Sequence, residues 1–260
     1  IDNRDGGNLV ARNITLDTGN SFNNDTGTLE ARESLDLHAG GTVTNDGGII
    51  WAGNSLVIES AGLSGKGDIL SRGDLSITLS RDYSLAGNVE AAGSATLKIG
   101  GTVFNQGGLR ARNVLKLDAR AIENSGTGEI EANRIELRAI GISNRGLINA
   151  KETRIEGISL SNLGGGRIYG DDLSLAAQTL NNASENGVSP VIAARKRLDI
   201  GVTHLDNSDG ALIYSEGDIV IGGHLDANDH AAGQAAYVTN SSATIDAAGN
   251  ILDNAEEVIK

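Results

Sequence analysis

The sequence has no cysteine and no methionine, a single proline (Pro190), and few rings: two Phe, four Tyr and one Trp. Without cysteine there is no disulfide scaffold, no thiol nucleophile and no thiolate zinc site. One proline excludes collagen-like chains. No apolar run approaches the roughly 18 residues that span a bilayer, so the sequence predicts no transmembrane segment. Basic residues are the minority. A formal net charge of −13 speaks against nucleic acid and anionic membranes as partners. What abounds is glycine, 36 in 260 residues, about twice the ordinary share of roughly 7%. The core must therefore be built from Ile, Leu, Val and Ala. An aliphatic, glycine-rich interior suits small repeated layers better than one globular core.

The layers are visible as a repeat. Gly27-Thr-Leu29-Glu-Ala31, then Leu35-Asp-Leu37, then Val43-Thr-Asn45 returns as Gly107-Gly-Leu109-Arg-Ala111, Leu115-Lys-Leu117, Ile122-Glu-Asn124. It returns again from Gly128 to Asn144. Each unit is Gly-x-φ-x-Ala, a turn, φ-x-φ, a turn, and φ-x-Asn, where φ is apolar. The closing residues Asn24, Asn45, Asn105, Asn124, Asn144, Asn162, Asn182 and Asn207 are spaced by 18 to 25 residues, apart from one gap of 60. That gap holds three units, the first two closing on Ser64 and Ser84.

Apolar and polar residues alternate within each unit, as in Leu75-Ser-Ile77-Thr-Leu79. Period two means strand, and no stretch keeps the 3.6-residue spacing of a helix. The units lack the helical half of a leucine-rich repeat and the glycine-aspartate series of calcium-binding nonapeptides. An all-β parallel β-helix (solenoid) of about eleven coils remains, on the order of 50 Å long at roughly 4.8 Å per coil. Leu29, Ile49, Ile69, Val89, Leu109, Ile130 and Ile148 are expected to form one inward column. Leu35, Leu56, Leu75, Leu97, Leu115, Ile135 and Ile155 form another. Burying one such side chain is worth roughly 1.5–3 kcal/mol, against roughly 1–2 kcal/mol of backbone entropy for each ordered residue. A lone coil loses that contest; stability belongs to the stack. The asparagines are expected to form a structural ladder, each amide bonding its neighbours above and below.

Residues 1–260 read as one β-helix segment of a larger rod, opening in mid-pattern and stopping at Lys260 without an amphipathic cap. One place breaks the rhythm: residues 227–237 delay the next Asn step to Asn240 and are expected to protrude at a corner. Ser184–Pro190 lengthens another turn.

The Gly-x-φ-x-Ala, φ-x-φ, φ-x-Asn units, with Leu225-Asp-Ala, Gly233 and Val238-Thr-Asn240-Ser-Ser-Ala-Thr-Ile245, resemble the repeats of filamentous haemagglutinins. They look equally like those of contact-dependent growth inhibition toxins. The resemblance covers essentially the whole chain. It implies a right-handed β-helix in a two-partner-secretion exoprotein, secreted to the outer surface of a Gram-negative bacterium. Such a stalk serves adhesion or presents a toxin to neighbouring bacteria. The partners implied are an outer-membrane transporter, engaged through a domain outside this chain, and a host or target-cell receptor or glycan.

Other chemistry is weaker. A polysaccharide-processing β-helix needs clustered carboxylates. Asp171-Asp172 and Asp206/Asp209 are the best available, and no Arg or Lys recurs beside them, so no catalytic residue and no cofactor are expected. His204 and His224, 20 residues apart in His-Leu-Asp contexts, are the weak candidates for a metal, with Asp206 and Asp226 two positions on. A solvated polar face explains them as well. Arg12, Arg32, Arg72, Arg112, Lys151 and Arg195 recur after the Ala position as a broken basic corner, a candidate contact for sulfated glycan or lipopolysaccharide phosphate. Trp51 is expected to be half-buried at a corner.

Overall fold

The structure is a computed structural model and describes residues 1–259; Lys260, the end of the stretch read as uncapped, lies outside them. The described residues are all-β and contain no helix. Parallel strands stack as a β-solenoid of about 12 turns of roughly 20 residues, against the eleven counted from the repeat. The chain divides into two compact units, residues 1–123 with 128–133, and residues 124–127 with 134–260.

In the first unit the alternation turns every second side chain inward, and parallel pairing stacks like on like. Leu29, Ile50, Ile69, Val89, Leu109 and Ile130 are successive partners in one column. Ile14, Leu35, Leu56, Leu75 and Ala95 form a second. Leu16, Leu37, Ile58, Ile77 and Leu97 form a third, two residues along the same strands. At the next corner Phe22, Val43, Leu63, Tyr83 and Val103 stack, so two of the rare rings are spent inside.

The second unit repeats the plan. Leu137, Ile155, Leu175, Ile200 and Ile221 stack. So do Ile148, Ile168, Ile192, Ile213 and Ile245. The strand Arg167–Ala183 pairs with Val191–Ser208 along nearly its whole length, with one bulge between Gly170 and Asp172.

Three details of the expected register are corrected. Ile50, not Ile49, fills the inward column; Ile50 is fully buried and Ile49 is 43% exposed. Gly48-Ile-Ile50-Trp-Ala52 carries four adjacent apolar residues, so its alternation cannot be phased from composition. Leu97 and Ile155 are buried but belong to the next column along, because Ala95 partners Leu75 and Thr153 partners Ile135. The residues equivalent to Asn45 are Gly65 and Leu85, one position after Ser64 and Ser84. Gly65 turns that corner with φ +120°, a backbone conformation that side chains oppose.

Candidate functional site

The closing asparagines lie inside the corner and are buried. In the first unit Asn3 Nδ2 donates to Asn24 Oδ1 (2.7 Å), and Asn24 Nδ2 donates to Asn45 Oδ1 (2.8 Å). Asn105 Nδ2 donates to the carbonyl of Glu129. In the second unit Asn124 donates to Asn144, Asn144 to Asn162, Asn162 to Asn182, Asn182 to Asn207 and Asn207 to Asn240, all at 2.7–2.9 Å. Each of these amides also donates to a backbone carbonyl, for instance Asn207 to Thr244 O at 2.9 Å. Both polar ends are satisfied by the corner itself, which is the chemistry of a scaffold. The glycine opening each unit follows from this packing: a Cβ on Gly48 would collide with Asn24 O and Asn45 Oδ1. Asn3 and Asn240 are further rungs: Asn240 is the delayed step expected after the insertion, and Asn3 closes Ile1-Asp-Asn3 in the same φ-x-Asn form.

The basic residues are all exposed but form no uninterrupted line. In the first unit Arg12 and Arg32 are neighbours, Gly53 follows, then Arg72, Ala92 and Arg112. Arg12 pairs with Glu33 at 3.4 Å, and the Arg72 guanidinium lies 5.7 Å from the centre of the half-buried Trp51 ring. In the second unit the bulge sets Asp171 between Lys151 and Arg195. Arg195 binds Asp171 at 2.9 Å, and Lys196 reaches Asp171 and Asp172 at 3.7 and 3.6 Å. The hydrogen bond from Arg195, with the Lys196 charge, holds the Asp171 carboxyl below its usual range. Asp171 and Asp172 thus neutralise cations. Asp206 stands in a strand between Asn181 and Thr239, and Asp209 turns the following corner at φ +55°.

His204 and His224 are not brought together. The strand carrying His204 pairs with Ala235–Ser241, so His204 lies on Tyr237, the rings stacked 5.2 Å apart, and Asp206 partners Thr239. His224 instead starts a small antiparallel hairpin in which His224–Leu225 pairs with Ala231–Ala232. The twenty-residue spacing misleads because the excursion removes His224 from the stack. Among the described residues no three His, Asp or Glu side chains converge as a metal site.

The hairpin is built around Asp226, whose carboxylate accepts from the His230 and Asn228 amides (3.0 and 2.8 Å) and is thereby held below its ordinary value. Arg154 binds Asp229 at 2.6 Å, and the buried Asp199 accepts from the Ala231 amide at 2.8 Å while pairing with Arg197. These ties close a polar pocket of about 300 Å³ whose walls include Arg134, Asp172, Ser174, Asp199 and His230. Its guanidiniums are already paired with carboxylates. The sequence pattern did not single out these partners, because Arg154 and Asp229 lie 75 residues apart.

A second cleft of about 200 Å³ lies on the same unit, lined by Tyr169, Ala193, Arg195, Tyr214 and Glu216. Tyr169, Ala193 and Tyr214 are successive partners in one outward column. The lengthened turn at 184–190 hides that register from the repeat spacing. Comparison with known protein families, curated proteins and solved structures finds no match to the chain.

Proposed function

We propose that this chain is a rigid spacer segment of a secreted, cell-surface filamentous exoprotein of a Gram-negative bacterium, used for adhesion or for presenting a toxin to neighbouring bacteria. The observation that carries the reading is the investment of the buried polar groups. The asparagine amides, ordinarily the raw material of a site, are consumed in linking coil to coil. The repeat's likeness to filamentous haemagglutinin and growth-inhibition stalks supports the same reading, as does the rigid β-helical solenoid itself. Export through an outer-membrane two-partner transporter belongs to a domain outside these residues.

A spacer has to keep register, not length. Asn88–Ala91 pairs with Gly108–Ala111, so deleting residues 88–107 removes one whole coil and rejoins equivalent positions. In the exoprotein that carries this segment, that deletion is expected to preserve surface display and target-cell engagement. Deleting residues 88–97 alone puts the remaining side chains of the coil out of step and is expected to abolish display. Loss of engagement by the whole-coil deletant, with display intact, overturns the spacer reading.

A further inference from the structure

Phe, Tyr and Trp number seven in the whole chain, and two of the tyrosines face outward in one column with nothing bulky between them. Tyr169 lies in the strand Arg167–Ala183, Ala193 in Val191–Ser208 and Tyr214 in Leu212–Ser215. Their chain neighbours Ile168, Ile192 and Ile213 are fully buried, which fixes the tyrosines on the outer face. Ala193 occupies the middle rung, so the gap between the tyrosines is floored by a methyl group. Asn149 and Asp246 continue the column at either end.

We propose that this slot binds one pyranose ring of an oligosaccharide. Two rungs set the tyrosine backbones roughly 9.6 Å apart. A flat aromatic guest held on both faces needs about 7–8 Å, twice a carbon–carbon contact distance. The wider slot suits a puckered, saturated ring, whose C–H faces pack on aromatic faces while its edge carries hydroxyls. The polar rim matches such an edge. Arg195, one of whose N–H groups is held by Asp171, supplies donors and Glu216 supplies acceptors, and among the described residues Glu216 makes no ion pair and neither tyrosine hydroxyl is engaged in a hydrogen bond. A hydroxyl is both donor and acceptor and is served by that pairing. A phosphate or sulfate finds Glu216 and Asp171 beside the Arg195 guanidinium, and a quaternary ammonium finds that guanidinium itself. The cleft, about 200 Å³, is the size of one ring rather than of a larger ligand.

The inference is independent of the spacer reading, which concerns how coils are joined and survives if the slot is empty of function. Saturation-transfer NMR of the whole chain with lactose, cellotriose and N-acetylchitotriose tests it, with choline as the contrasting probe. Transfer to the ring C–H protons of one or more saccharides is expected, with a Kd in the millimolar range. Ala193→Leu fills the slot from an outward position and is expected to weaken binding about tenfold or more. Tyr169→Ala does the same by removing one wall, and serves where the leucine variant fails to keep the wild-type circular dichroism. Tyr169→Phe with Tyr214→Phe keeps the stacking faces and is expected to retain most of the affinity. No transfer to any saccharide, transfer to choline alone, or saccharide binding undiminished by both Ala193→Leu and Tyr169→Ala overturns the proposal.

Discussion

The two units hold the same corner in different ways. Between Asn45 and Asn105 in the first unit the equivalent residues are Gly65 and Leu85, the ladder is absent, and Leu85 with Tyr83 fills the space. Yet these coils are the regular ones: the equivalent positions 45, 65, 85 and 105 follow at intervals of 20. In the second unit the ladder from Asn124 to Asn240 is complete, although its steps span 18 to 33 residues and two of its coils carry excursions. Between Asn45 and Asn105, where the interval is constant, packing alone holds this corner, although the equally even steps Asn3–Asn24–Asn45 keep the ladder. Where coil length varies, the amide fixes the corner so that a loop is added outside it without moving the core. Ring and alkyl contacts tolerate sliding; a pair of directed hydrogen bonds does not.

The strongest attack on this contrast is Asn207→Ala. Asn207 accepts from Asn182 and donates to Asn240 and to Thr244 O, all between coils of unequal length. Orphaning these buried groups is expected to cost about 2–4 kcal/mol in chemical denaturation. Leu85→Asn restores a ladder residue to the packed corner. It loses a buried leucine but gains a partner near Asn105, and should cost less, about 1–2 kcal/mol. A larger loss than for Asn207→Ala would break the comparison. Arg154→Ala frees the hairpin at Asp229, a pair partly exposed and so partly screened by solvent, at a cost of about 1 kcal/mol or less. Its main signature is faster hydrogen exchange at the Ala231 amide, with exchange in Val191–Ser208 unchanged.

Acid provides the smallest and most selective perturbation. Asp171 is held low by Arg195, Glu185 by the bidentate Arg145 (2.6 and 3.0 Å), and Asp226 by backbone amides. All three sit in the bulge, the long turn or the hairpin of the second unit. A carboxyl whose folded value lies below its unfolded one contributes stability above the unfolded value and loses it as pH falls through the folded one. Below about pH 4 the excursions should therefore loosen first, seen as exchange at their amides while the ladder amides stay protected. Simultaneous loss would sink the division of labour.

Most of the architecture was legible because alternation and repeat length are local properties. Leu29, Leu35, Val89 and Leu109 can be phased by counting, since none has an apolar side chain beside it. The misplacements all arise where counting lacks a phase. Ile49-Ile50 offers two apolar choices, and where the inward position holds the small Ala95 or the polar Thr153 the apolar signal passes to Leu97 and Ile155, two residues along. The candidate sites were less legible for the same reason on a longer scale. His204 and His224 keep the period in sequence but lose it in space, because the chain leaves the stack at Gly223. Tyr169 and Tyr214 share a column although 45 residues separate them, since one intervening coil is lengthened. Only pairing recovers such relations.

Every ladder bond runs the same way: the earlier asparagine gives the proton and the later one receives it. The second proton of the amide is held by a carbonyl of the following layer, as in Asn24 to Ile49 O and Asn182 to Leu212 O, so the amide cannot flip. The row of side-chain dipoles is thus aligned head to tail, and its members polarise one another. A layer that has just settled presents both of its N–H groups to the layer not yet formed. Assembly acquires a sense of direction from a side chain, and that sense runs from the amino towards the carboxyl end of the chain.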